Sequence, residues 1–91
     1  MIDKILEDRE MTHGDYYSKA IAIQDFKICL RSSESWWQLE PDMQESLDMI
    51  VSKIGRILYG NPNHIDHWAD IAGYSQLIID RLQESSEKPQ K

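Results

Sequence analysis

The chain is poor in the features that would name a chemistry outright. It holds a single cysteine, Cys29, among 91 residues. One thiol excludes an internal disulfide framework and a cysteine-based zinc site, and it fits a reducing cytoplasm. Positive charge is also scarce: ten Lys and Arg against sixteen Asp and Glu leave a net charge of −6. Neutralising a nucleic-acid backbone takes clustered basic residues, and these ten are scattered, so a dedicated nucleic-acid binder is not expected. No apolar run approaches the roughly 18 residues a membrane span needs. The opening MIDKILEDRE is too acidic for a secretory signal. There is no Gly-rich phosphate loop, no nucleophile context around a Ser or Cys, and no useful stretch of strand-like alternation. What remains is a cytoplasmic, membrane-free, single-domain protein with room for one small core.

What the sequence does have is helical periodicity, in four pieces. The first is about Ile2–Glu10, with Ile2, Ile5 and Leu6 on its apolar side. The second is about Asp15–Arg31, with Asp15 as the capping residue and Gly14 closing the turn before it. Tyr17, Ala20, Ile21 and Ile28 share one side of this piece, and Ala22, Ile23, Phe26, Cys29 and Leu30 share the other. A helix apolar on both sides is expected to be sandwiched, with another subunit as its second neighbour. The segment RSSESWWQLEP reads as a loop with one short turn at Trp36–Leu39, and at least one of the adjacent Trp is expected to pack inside.

The third piece is about Pro41–Tyr59. Pro41 suits a first helical position, and Gly60 and Pro62 end the helix. Its apolar stripe is Met43, Leu47, Ile50, Val51, Ile54, Ile57 and Leu58. The fourth piece is about His64–Gln83, capped by Asn63, with Trp68, Ile71, Ala72, Ile78, Ile79 and Leu82 as its stripe. Only GNPN separates the two, which predicts an antiparallel hairpin of residues 41–59 and 64–83. The expected architecture is an all-α, small helical bundle, oligomeric, with one domain over residues 1–83. The polar end ESSEKPQK, residues 84–91, is expected to be a disordered tail.

The polar sides of the last two helices carry the candidate chemistry. Glu45 and Asp48 share the side opposite the stripe of the third piece, and Asp66, Asp70 and Gly73 share the corresponding side of the fourth. Carboxylates three or four apart point the same way on a helix. Two such pairs on neighbouring helices would supply the hard oxygen ligands that Mg²⁺ or Mn²⁺ prefers. Ordinary solvation explains much of the same pattern, since acids near a helix start are stabilising in any case. Met49 and Leu77 on these sides hint at partial cover, and mid-helix Gly73 hints at a close approach. Lys53 and Arg56 lie near the Glu45–Asp48 side, within reach of phosphate, although exposed pairs of this kind are usually worth little. His64 and His67 lack a metalloprotease pattern, and His13 sits in a turn. Cys29 is expected to be inert packing.

The stretch from Arg9 to Tyr16 (R-x-x-x-H-G-D-Y), the stretch E-S-L-D-M-I-x-x-K-I-G-R-I from Glu45 to Ile57, and N-P-N-H-I-D-H-W-A-D-I-A-G-Y from Asn61 to Tyr74 together resemble a family of short phage and prophage proteins without an assigned activity. More distantly, the helix hairpin resembles the all-α, MazG-like nucleoside triphosphate pyrophosphatases. Those are helical oligomers that hold Mg²⁺ on E-x-x-E and E-x-x-D and cleave between the α and β phosphates. The resemblance implies that Glu45 and Asp48 stand for the first pair and Asp70 for the end of the second. His67 takes the position of the expected Glu, and Asp66 lies one residue earlier.

Two functional expectations follow. In one, Glu45, Asp48, Asp66 and Asp70 hold Mg²⁺ or Mn²⁺, and Lys53, Arg56, Asn61, His13, His67 and Tyr74 contact a nucleotide, in a homo-oligomeric pyrophosphohydrolase-like protein. In the other, the chain is a non-enzymatic acidic phage accessory protein that binds and inhibits a host protein in the host cytoplasm, with Trp36-Trp37 as an anchor.

Overall fold

A computed structural model describes residues 4–6 and 15–87. The described residues are helical, with no strand among them. Residues 4–6 are helical, but most of the first sequence piece, together with Gly14 and His13, lies outside the described residues. Three long helices follow: α1, Tyr16–Arg31; α2, Pro41–Tyr59; and α3, Ile65–Glu87. A 3₁₀ turn, Glu34–Gln38, joins the first two.

The boundaries follow local chemistry. Asp15 caps α1 by accepting the Ser18 N–H at 3.0 Å, which satisfies one of the orphan donors of a helix start. Pro41 opens α2, where its missing N–H costs nothing. The turn into α3 is held by Asn61, whose side-chain oxygen accepts the Asn63 N–H at 2.9 Å. The cap expected at Asn63 is therefore displaced, and the helix starts at Ile65. It also runs past the expected Gln83 to Glu87, so residues 84–87 continue a helix rather than open a tail. Glu84 lies one turn beyond Asp80 on an unbroken i→i+4 path, and nothing in ESSE stops a helix.

α2 lies between α1 and α3 and packs on both. Its sequence divides into rows spaced by four and three residues, each forming one face. The row Gln44, Asp48, Val51, Gly55 meets α1 and the 3₁₀ turn. The Gln44 amide donates to the Trp36 carbonyl at 2.9 Å, Asp48 pairs with Arg31, Val51 is buried, and Gly55 faces Ile23. The row Asp42, Ser46, Lys53 meets α3. Asp42 accepts from Arg81, the Ser46 hydroxyl donates to the Tyr74 carbonyl at 3.2 Å, and Lys53 pairs with Asp70.

The third row, Met43, Leu47, Ile50, Ile54, was expected to form the core. It lies against neither neighbour in full: Leu47 is 36% exposed, and Leu58 beside it is 61% exposed. On α3, Trp68, Ile79 and Leu82 are exposed as well. Among the described apolar side chains only Trp36 and Val51 are fully buried. The helices are thus joined through rows rich in polar groups, and the apolar stripes flank those seams. Of the two adjacent Trp, Trp36 is buried under the Arg31 guanidinium, 4.8 Å from the ring centroid, and Trp37 is exposed. Cys29, expected to be packed, is exposed on α1.

Candidate site: a cationic seam between the three helices

The interior of the bundle is unusually ionic. Lys19 and Lys53 are buried, 9% and 7% exposed, and His67 is 1% exposed. Charged groups seldom sit so deep without close partners, because leaving water costs several kcal/mol unless the charge is compensated.

Gly55 explains how Lys19 comes to lie there. A Cβ at position 55 would stand 2.6 Å from Ile23 Cγ1, 2.7 Å from Ile23 Cδ1 and 3.3 Å from Lys19 Cγ. The absence of a side chain lets α1 approach α2 closely and brings the Lys19 stem down onto it. Sequence reasoning had assigned a close approach to Gly73 instead. A Cβ there would meet nothing within 4 Å, so Gly73 opens space rather than closing it. It lines a shallow groove of about 350 Å³ with Ala69, Asp70, Tyr74 and Leu77. Leu77, taken from the sequence as a sign of partial cover, is exposed.

Lys19 and Lys53 lie on the two sides of α2, and the Arg56 charge bears on both Lys19 and Asp70. Lys53 crosses from α2 to α3 and pairs with Asp70 at 2.9 Å. That ion pair, reinforced by the charges of Lys53, Arg56 and His67, holds the Asp70 carboxyl below the usual carboxylate range. Arg56 bears on Asp70 through its charge. It is also close enough to Lys19 that, after burial itself, its like charge helps hold the Lys19 ammonium below its ordinary value. Lys19 lies over the Tyr16 ring, 5.6 Å from the centroid. Among the described residues no carboxylate pairs with Lys19 or Arg56 at ion-pair distance. Asp70 thus answers both Lys53 and Arg56, and Lys19 is left without a carboxylate at ion-pair distance among the described residues, in a chain whose overall charge is −6.

The four candidate metal ligands lie apart from one another in function. Asp48 turns towards α1, where its Oδ2 takes the Arg31 guanidinium at 2.8 Å. Its other oxygen, Oδ1, is buried without a hydrogen-bond partner. Asp70 is held by Lys53. Asp66 is 81% exposed and faces the His64 imidazole at 3.6 Å. Glu45 is exposed on the outer side of α2. Among the described residues no group of three or more His, Cys, Asp and Glu comes together in a metal-holding arrangement.

Of the candidate nucleotide contacts, Lys53 and Arg56 are in the seam, and Tyr74 lies half-buried at its α3 wall. Asn61 is exposed in the turn, occupied with local backbone. His67 is buried, its ring edge-on to His64 with centroids 4.7 Å apart. The residue that sequence reasoning missed is Lys19. Its spacing of four from Ile23, on the row facing α2, was the available signal.

No helix among the described residues is long and apolar enough to cross a membrane. Searches against protein-family models, curated proteins and solved structures return no match to this chain.

Proposed function

We propose that the protein binds a phosphorylated small molecule, with a nucleoside triphosphate as the ligand class, in the seam formed by Lys19, Lys53 and Arg56. The single observation that carries this reading is the excess of cation over carboxylate there. Lys53 and Arg56 act on Asp70, while buried Lys19, within range of the Arg56 charge, has no carboxylate at ion-pair distance among the described residues, and a phosphate group would supply the missing anion. Tyr74 and the open groove at Gly73 lie next to Asp70 and leave room for the remainder of the ligand. The resemblance of the hairpin sequence to MazG-like pyrophosphatases implies the same ligand class. In this reading α2 and α3 form an antiparallel hairpin, and the chain works as a homo-oligomer in the cytoplasm of the host.

Mg²⁺ or Mn²⁺ enters as the ion that a triphosphate carries with it. Of the four carboxylates, Glu45 has no ion pair among the described residues, Asp48 keeps an unpartnered buried Oδ1, and Asp70 and Asp66 are each held through Oδ2. Asp70 and Asp66 would join by exchanging Lys53 and His64 for the metal.

The test is calorimetric titration with pyrophosphate, tripolyphosphate and a panel of nucleoside triphosphates, with and without Mg²⁺, followed by assay for pyrophosphate release. Lys19→Met and Arg56→Met should each weaken binding at least about tenfold, the worth of one charge-assisted contact. Because an anion beside Lys19 raises its lowered pKa, binding should also take up protons in the alkaline range. Absence of binding to every phosphate compound, or an affinity untouched by Lys19→Met, rejects the assignment. A second reading, inhibition of a host protein, draws on exposed Trp37. It predicts that Trp37→Ala abolishes capture of a host protein while leaving the fold intact.

A further inference from the structure

The apolar stripes of α2 and α3, half-buried at Met43, Ile50, Ile54 and Ile78 and exposed at Leu47 and Leu82, are not two patches but one face. Met43, Leu47 and Ile50 on α2 and Ile78 on α3 line a single open groove of about 320 Å³, with Leu39 at one end. Ile54 and Leu82 extend it on either helix by the same three-and-four spacing. None of these residues is charged. We propose that this face is closed by the same face of a second copy of the chain, so that α2 and α3 of each protomer form a four-helix layer with a shared apolar core. The proposal rests on the reading that the chain assembles with itself, and adds the face through which it does so.

Three observations favour a second copy. First, a single chain fully buries only Trp36 and Val51 among its described apolar side chains. A domain of this size is marginal even when it buries most of what it can. Covering the face would supply the missing burial, and a second copy is an occupant present at the chain's own concentration.

Second, the area is of the right order. The α2 stripe from Met43 to Ile57 is about 21 Å long at 1.5 Å per residue. Two helix diameters make the face about 20 Å wide, so its projection is on the order of 400 Å². Two such faces would bury on the order of 800 Å² together, the size of a weak, concentration-dependent association. Third, the face is free of charge in a chain of net charge −6, so two copies meet there without bringing their acidic groups together.

The flanks of α1, where sequence reasoning looked for the second subunit, are less suited. Tyr17, Ile21 and Ile28 are exposed, but Gln24 interrupts their row and Asp25 borders it.

The experiment is sedimentation equilibrium of the full chain across a range of concentrations, together with thermal melting over the same range. Wild type should be a dimer, or a multiple of one, and its Tm should rise with concentration, because association stabilises the folded chain by mass action. Leu47→Asp should shift the population to monomer, and its Tm should fall furthest below wild type at the highest concentration, where wild type gains most from association. Ile28→Asp, on α1, should leave the association unchanged. Leu47 is already one-third exposed in the single chain, so a monomeric fold would tolerate the aspartate with little change. A monomer whose Tm ignores concentration would overturn self-assembly and this interface together. An oligomer dissociated by Ile28→Asp but not by Leu47→Asp would leave self-assembly standing and overturn the assigned face.

Discussion

Gly55 gives the sharpest test of how α1 sits on α2. A helix-interior glycine costs about 1 kcal/mol relative to alanine, so on local grounds Gly55→Ala should stabilise the protein. The tertiary structure opposes this. The added Cβ would lie 2.6 and 2.7 Å from two carbons of Ile23, about 1 Å inside the 3.5–4.0 Å at which carbon atoms rest. Ile23 is β-branched and has little freedom at χ1 in a helix, so either α1 retreats or Ile23 leaves its rotamer. Overpacking of this kind costs about 1–3 kcal/mol. The net expectation for Gly55→Ala is a loss of about 0–2 kcal/mol.

Ile23→Ala removes both clashing carbons, and in that background the same Gly55→Ala should yield its full helical gain of about 1 kcal/mol. The double-mutant cycle should therefore show a coupling of about 1–3 kcal/mol. Each kcal/mol corresponds to about 4–8 °C in Tm for a chain of this size. Urea unfolding followed by helical circular dichroism measures it, at one fixed protein concentration because association shifts the midpoint. If Gly55→Ala stabilises wild type and the Ile23→Ala variant equally, α1 does not rest on Gly55, and the burial of Lys19 loses its explanation.

Two further predictions concern the ion pairs. The Asp42 carboxyl is held low by Arg81, and the Asp70 carboxyl by Lys53. A folded-state pKa below the unfolded one contributes stability that is fully present above about pH 3.9 and is lost as pH falls through the folded value. Urea midpoints should therefore drop on acidification below that point, and Asp42→Asn should flatten the drop; an unchanged slope would show that Arg81 does not hold Asp42. Separately, Arg31→Met should destabilise the protein by about 1–3 kcal/mol, because it strands an Asp48 whose Oδ1 already lacks a partner and uncovers Trp36. Adding Asp48→Leu should recover part of that loss in chemical denaturation. A single variant within 0.5 kcal/mol of wild type would remove Arg31–Asp48 from the forces that hold α1.

Local punctuation in the sequence was legible because its causes are local. Pro41 and Gly60 frame α2 at the residues expected, Asp15 caps α1 as read, and the short turn expected at Trp36–Leu39 lies at Glu34–Gln38 with one Trp ring inside. Periodicity also placed Met43, Leu47, Ile50 and Ile54 on one row of α2, but it put Val51 with them and Asp48 opposite, whereas Val51 and Asp48 share the row that meets α1. What it could not supply is which row faces a neighbour in the same chain. The ordinary assumption is that the apolar row does. Here the seams run through Asp42, Ser46 and Lys53 on one side of α2 and through Gln44, Asp48 and Gly55 on the other.

That choice was invisible because it depends on long side chains reaching across helices, as Lys53 does to Asp70 and Arg31 to Asp48. It depends as well on one glycine being used for contact and another not, although Gly55 and Gly73 look alike in a helical wheel. The same rotation that turns the polar rows inward leaves Met43, Leu47 and Ile50 facing out. A buried cationic seam and an uncovered apolar face are therefore two consequences of one packing decision. A variant that rotates α2 by one row should exchange both at once, losing anion affinity and association together.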